Sequence, residues 1–257
     1  MKFKNLYING CSFTAGHDLI NEHRWTDILS SKLDTKLFNK ANNGQSFDSI
    51  YLNTISHLSE LSHKDTLVVI GLTWTPRHGV LFNNSSFNIS PAHIQRGRNY
   101  DEKGYKSNDL TTLTRKFAPI KLTYNDQEIK KEKSIFLKEY AENLDLVMDK
   151  FIDFHRSLVK YQDKETLLKN YRLKYLTQLI GLQGYLKDKG FTYRFIQFPY
   201  NLELYDFIDK TIIEQLDYNN IIKFHIGDPD LQHLQDKSAH PTFEHNKILV
   251  DRILKSL

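Results

Sequence analysis

The chain has 257 residues, 40% hydrophobic and 26% charged, an ordinary globular balance and enough length for one sizeable α/β core. A single cysteine, Cys11, excludes an intrachain disulfide framework and suits a reducing, cytoplasmic setting; no apolar run nears the ~18 residues of a membrane span. A net charge of +4 is too mild to point to a nucleic-acid partner.

The N-terminal segment is expected to open directly on a strand, Lys4–Asn9, with no signal-peptide apolar region before it. A helix is expected over Leu19–Leu33, with Ile20, Trp25, Ile28 and Leu29 on its apolar face. A short strand follows at Lys36–Lys40, then a turn by composition at Asn42-Asn43-Gly44-Gln45-Ser46. Ser46 is placed to cap a helix over Phe47–Leu61. Asp65-Thr66-Leu67-Val68-Val69-Ile70-Gly71 is the clearest strand, uniformly apolar like a parallel strand covered on both faces.

The pattern then breaks. Residues 76–133 are polar, with scattered aromatics, and read as an insertion placed to act as a lid. Its basic residues Arg96, Arg98, Lys103 and Lys106 are interrupted by Asp101 and Glu102, as on a solvated face. Residues 135–189 carry long helical periodicity, expected as two helices broken near Gln162-Asp163. Phe191–Phe198 is a strand ended by Pro199, Leu202–Leu216 a helix, and Ile221–Phe224 a short strand. Phe243–Leu257 is a terminal helix entered through Pro241. Strands alternating with helices predict a flavodoxin-like three-layer α/β/α sandwich around a five-stranded parallel sheet. The expectation is a single domain over 1–257, with the insertion at about 76–133 and extra helices at about 135–189.

Four segments could carry chemistry, and a parallel sheet would gather three of them along one strand-end edge, where ligands of such folds bind. Gly10-Cys11-Ser12 ends the first strand in a small-residue turn; alone, Ser12 reads first as a helix cap and only second as a nucleophile. Gly44 follows the second strand and could turn its N–H to an oxyanion. Gly71-Leu72-Thr73-Trp74-Thr75-Pro76-Arg77 follows the third; Thr73 and Trp74 could offer donors, and Arg77 could hold a polar or anionic substrate. Asp236-Lys237-Ser238-Ala239-His240 sets a carboxylate and an imidazole in one loop, the partners a serine nucleophile requires. No HExxH or Cys/His ligand spacing occurs, so neither a metal nor an organic cofactor is expected.

Taken in order, these segments resemble the SGNH (GDSL-type) hydrolase superfamily. Gly10-Cys11-Ser12 resembles its first block, with cysteine where aspartate is common; Gly44 resembles its second-block glycine. Gly71-Leu72-Thr73 stands where the family has Gly-x-Asn, and His240-Pro241-Thr242 resembles its last block. The likeness covers residues 3–75 and 190–257, and is nearest to variants from bacteria and tailed phages. It implies a serine esterase or deacylase with Ser12 as nucleophile, His240 as base and an oxyanion held by Ser12, Gly44 and a third-block side chain. Thr73 replaces the family asparagine, and Asp236 stands four residues before His240 rather than three, so either Asp236 or a backbone carbonyl would orient the imidazole. The expected substrate is a small-molecule or glycan acyl ester. The alternative is a relative of the same fold that binds a glycan, nucleotide or protein partner without turnover.

Overall fold

In the computed structural model, the described residues are 2–16, 19–42, 45–73, 78–82, 85–89, 164–198, 210–224, 231 and 240–257. Contacts divide the chain into two compact units, Met1–Gly79 with Tyr171–Leu257, and Val80–Asn170.

The first unit is built on five parallel strands: β1 (Asn5–Asn9), β2 (Lys36–Asn39), β3 (Thr66–Leu72), and, later in the chain, β6 (Thr192–Gln197) and β7 (Ile221–Lys223). Their order is β2-β1-β3-β6-β7, with Leu6 beside Leu67, Ile8 beside Val69, and Ile70 beside Phe195. Counting the sheet's own strands, this is the 2-1-3-4-5 order of flavodoxin-like folds, in which the strand order reverses between the first and third strands.

Side-chain alternation divides the strands between two apolar layers. Tyr7, Val68, Ile70, Tyr193 and Phe195 face one side, where they pack with Phe47, Ile50 and Leu58 of α3 (Phe47–Leu58) and Leu176, Leu179 and Leu182 of α4 (Lys164–Asp188). Leu6, Ile8, Leu67, Val69 and Ile196 face the other, against Trp25 and Leu29 of α2 (Trp25–Leu33) and Leu249, Val250 and Ile253 of α6 (Phe243–Ser256). Each fully buried side chain of this size contributes about 1.5–3 kcal/mol relative to exposure. The layers are thus helix, sheet, helix, as the strand and helix alternation predicts.

Several boundaries differ from expectation. The helix expected from Leu19 begins at Trp25, preceded by a single 3-10 turn at Asn21–His23. Ile20, counted on its apolar face, is 55% exposed, while Trp25 is fully buried. The polar stretch expected as loop carries two strands, β4 (His78–Phe82) and β5 (Ser85–Ile89), which form a separate two-stranded sheet. Its polar composition hid a period-two pattern at Ser86-Phe87-Asn88-Ile89. The later of the two expected helices is α4, described from Lys164; the break expected at Gln162-Asp163, the earlier helix and the rest of the insertion lie outside the described residues. Of the helix expected over Leu202–Leu216, residues 210–216 are described, and they are helical only over α5 (Lys210–Ile213), the chain turning out of the helix before Leu216. No described helix is long and apolar enough to cross a membrane.

Candidate active site

Strand β1 ends in a buried asparagine that sets the turn after it. The Asn9 amide donates to the Ile50 carbonyl (3.3 Å) and to Thr54 Oγ1 (3.1 Å), while its Oδ1 accepts from the Gly10 N–H (2.9 Å). One side chain therefore ties the strand end to α3 and fixes the first peptide of the turn. Cys11 follows, fully buried and extended, and its carbonyl accepts from the N–H groups of Thr14 and Ala15. Ser12 opens a single helical turn, α1 (Ser12–Ala15), closed by Gly16 at φ 68°. Such a left-handed closing position suits glycine, which has no Cβ to clash.

Thr14 explains two glycines. A Cβ on Gly10 would lie 2.2 Å from Thr14 Oγ1, and a Cβ on Gly71 would lie 1.9 Å from the same atom. The turn after β1 thus packs directly on the backbone of β3, and glycine in mid-strand marks that close approach.

Ser12 is 8% exposed, and its Oγ lies 3.1 Å from His240 Nε2, within reach of proton transfer. The imidazole packs against the Phe13 ring, with centroids 5.0 Å apart, and Phe13 in turn packs on Phe198. His240 precedes α6, and the entry to that helix is firmly held. Thr242 is its N-cap, and its Oγ1 accepts from the His245 N–H (3.5 Å). His245 Nδ1 accepts from the Thr242 N–H (3.2 Å), and His245 Nε2 lies 2.9 Å from the Leu231 carbonyl. A backbone N–H can only donate and a carbonyl can only accept, so these bonds assign a neutral imidazole with its proton on Nε2. His245 therefore stands where a capping box has Glu or Gln, and it joins the His240 loop to a second segment. Replacing it with phenylalanine is expected to cost about 2–4 kcal/mol in urea denaturation, because the Thr242 N–H and the Leu231 carbonyl both lose their partner.

The loop after β2 joins the other two strand ends. The Asn42 N–H donates to the Gly10 carbonyl (3.1 Å), and the Gln45 N–H donates to the Asn42 carbonyl (3.3 Å). The Thr73 hydroxyl, buried just beyond β3, donates to the Gln45 carbonyl (3.0 Å). Ser46 caps α3 through the Ser49 N–H, as its position in the sequence predicts. The turns after β1, β2 and β3 thus form one hydrogen-bonded chain beside Ser12.

Of the residues singled out in the sequence, Ser12, His240 and Thr73 are described. Ser12 and His240 meet directly, and the single Thr73 proton is directed to the Gln45 carbonyl. Gly44, Trp74, Arg77 and Asp236 lie outside the described residues. Asn9, Phe13, Gln45 and His245 emerge only from the structure. Of these, Thr242-x-x-His245 had a signal in the sequence, a capping pattern with histidine in the third position.

No protein-family model matches the chain, and no curated protein matches it. Among solved structures it is similar to the psychrotrophic esterase EstA from Pseudoalteromonas sp., at 13% identity over 98% of this chain and 96% of that one, with a TM-score of 0.46. It is similar to TesA at 11% identity over 99% and 98% of the two chains, with a TM-score of 0.47. A member of the lipolytic protein G-D-S-L family from Veillonella parvula aligns at 10% identity over 98% and 97%, with a TM-score of 0.43. The solved structures to which the chain is similar thus include lipolytic proteins of the G-D-S-L family, at low identity.

Proposed function

We propose that the chain is a serine-dependent acyl hydrolase, an esterase or deacylase acting on a small-molecule or glycan acyl ester. The observation that supports this reading is the 3.1 Å approach of Ser12 Oγ to His240 Nε2. Ser12 Oγ attacks the ester carbonyl carbon as its proton passes to His240 Nε2, and the carbonyl π pair moves onto oxygen. The tetrahedral intermediate collapses by breaking the bond to the alcohol, which leaves with the proton from His240. Water then attacks the acyl-Ser12 carbonyl, gives a proton to His240, and releases the acid as the proton returns to Ser12.

For Nε2 to accept, the His240 proton must sit on Nδ1 and find an acceptor there; Asp236 is the carboxylate assigned to that role. The N–H groups of Ser12 and Gly44 are assigned to the oxyanion; Thr73 stands at the third-block position, where its hydroxyl proton goes to the Gln45 carbonyl. Trp74 and Arg77 are assigned to substrate binding. The chemistry needs no metal or organic cofactor.

A serine-directed fluorophosphonate tests the reading. Wild-type protein is expected to label and Ser12→Ala is not. An unlabelled wild type, or equal labelling of the two, would overturn the assignment. The Thr73 hydroxyl bond to the Gln45 carbonyl favours the second reading, a protein of the same fold that binds its ligand without turnover, because it leaves that hydroxyl no proton for an oxyanion. Under that reading, Ser12→Ala and His240→Ala retain biological activity.

A further inference from the structure

Gln45 is 1% exposed, and neither its Nε2 nor its Oε1 meets a hydrogen-bond partner among the described residues. Buried polar groups are nearly always paired, so a whole primary amide without a partner calls for an explanation. In the unfolded chain both atoms bond to water, and among the described residues nothing replaces those bonds. Three other buried side chains, Thr14, Trp25 and Asn246, each leave a single atom unpaired; Gln45 leaves both ends of an amide.

Its backbone sits at the centre of the three-turn chain of hydrogen bonds. Its N–H goes to Asn42, whose own N–H goes to the Gly10 carbonyl, two residues before Ser12. Its carbonyl takes the Thr73 proton. Thr73, the residue standing where the resemblance expects an amide donor, therefore spends its hydroxyl on holding Gln45 in place.

We propose that the Gln45 side-chain amide is the third oxyanion donor, supplying from the second strand-end loop an N–H in place of the Thr73 hydroxyl, which is spent on the Gln45 carbonyl. The assignment rests on the reading of Ser12 and His240 as an acyl-transfer pair. The Nε2–H group has no partner to surrender among the described residues. It bonds weakly to a neutral carbonyl oxygen and strongly to the oxyanion that forms as Ser12 attacks, so its benefit falls on the transition state. A buried donor held before substrate arrives also needs no reorganisation during the reaction.

Gln45→Met keeps the side chain's length and removes its hydrogen-bonding atoms. With p-nitrophenyl acetate as substrate, kcat is expected to fall by about 10²–10³-fold while KM changes little, the effect of losing one oxyanion donor. Fluorophosphonate labelling of Ser12 is expected to slow in parallel. The melting temperature is expected to hold or rise, since an unpaired buried amide is replaced by an apolar group. A kcat within about threefold of wild type, far short of the loss of one oxyanion donor, overturns the assignment. So does a fall in kcat that comes with a lower melting temperature and an unchanged labelling rate, which marks a packing role. An unlabelled wild type removes the hydrolase reading and this assignment with it; a labelled wild type and an equally labelled Gln45→Met remove this assignment alone.

Discussion

Replacing Ser12 with alanine, or His240 with alanine, is expected to lower kcat/KM for a simple activated ester by about 10⁴–10⁶-fold. Replacing both should lower it little further. The reason is that, on the proposed reading, the two side chains pass one proton between them across 3.1 Å. Without the hydroxyl the imidazole has nothing to deprotonate, and without the imidazole the hydroxyl is a weak nucleophile. What survives either change is the contribution of the oxyanion donors and of substrate binding, which the double variant retains as well. Steady-state kinetics of the two single variants and the double variant check this. Losses that multiply in the double variant would mean that the residues act independently, and the shared proton would be disproved. Folding should be nearly untouched by Ser12→Ala, because the change removes one oxygen and its contact with His240.

The second large effect concerns stability. Gly71→Ala is expected to destabilise the protein by about 3 kcal/mol or more in urea denaturation, at the upper end of overpacking changes. The added Cβ would sit 1.9 Å from Thr14 Oγ1 and 3.0 Å from the Phe198 ring, so either the turn after β1 or the strand must move. Thr14 Oγ1 has no hydrogen-bond partner among the described residues, so removing it sacrifices no bond found there. Gly71→Ala combined with Thr14→Ala is therefore expected to be more stable than Gly71→Ala alone. The same rescue should fail at Gly10. There a new Cβ would meet the Thr14 Cβ itself at 2.7 Å and the Gly71 carbonyl at 3.0 Å, and alanine at position 14 leaves both in place. Two double-mutant cycles measure the contrast, and additive effects at Gly71 would show that Thr14 is not the obstacle.

The parts of this fold that are legible in the sequence are those written in continuous apolar runs. Thr66–Leu72 is buried at every position, and nothing in its sequence allows another reading. The start of α2 was obscured because Ile20 continues the helical spacing while standing in solvent, and period alone cannot separate a buried isoleucine from an exposed one. The β4 and β5 strands were obscured by their polar neighbours. In the site, Ser12 and His240 stand out through their residue types and order along the chain. Gln45 does not, because its significance lies in the absence of a partner, and a sequence does not record who fails to bond with whom. Asn9 is similar: as a polar residue closing an apolar strand it looks like a turn former, yet its amide clamps α3 to the turn.

The 3.1 Å pair joins residues 228 positions apart in the chain. Closing so long a loop is entropically slow to achieve, and no local element holds the two ends together. The hydroxyl is delivered by the first strand and the imidazole by the entry to α6, so the pair exists only once that helix has docked against α2 and the sheet. On the proposed reading, catalytic competence in this chain would be a late and cooperative property: a folding core containing β1, β2 and β3 would hold Ser12 and remain inert until the last long-range contact closes.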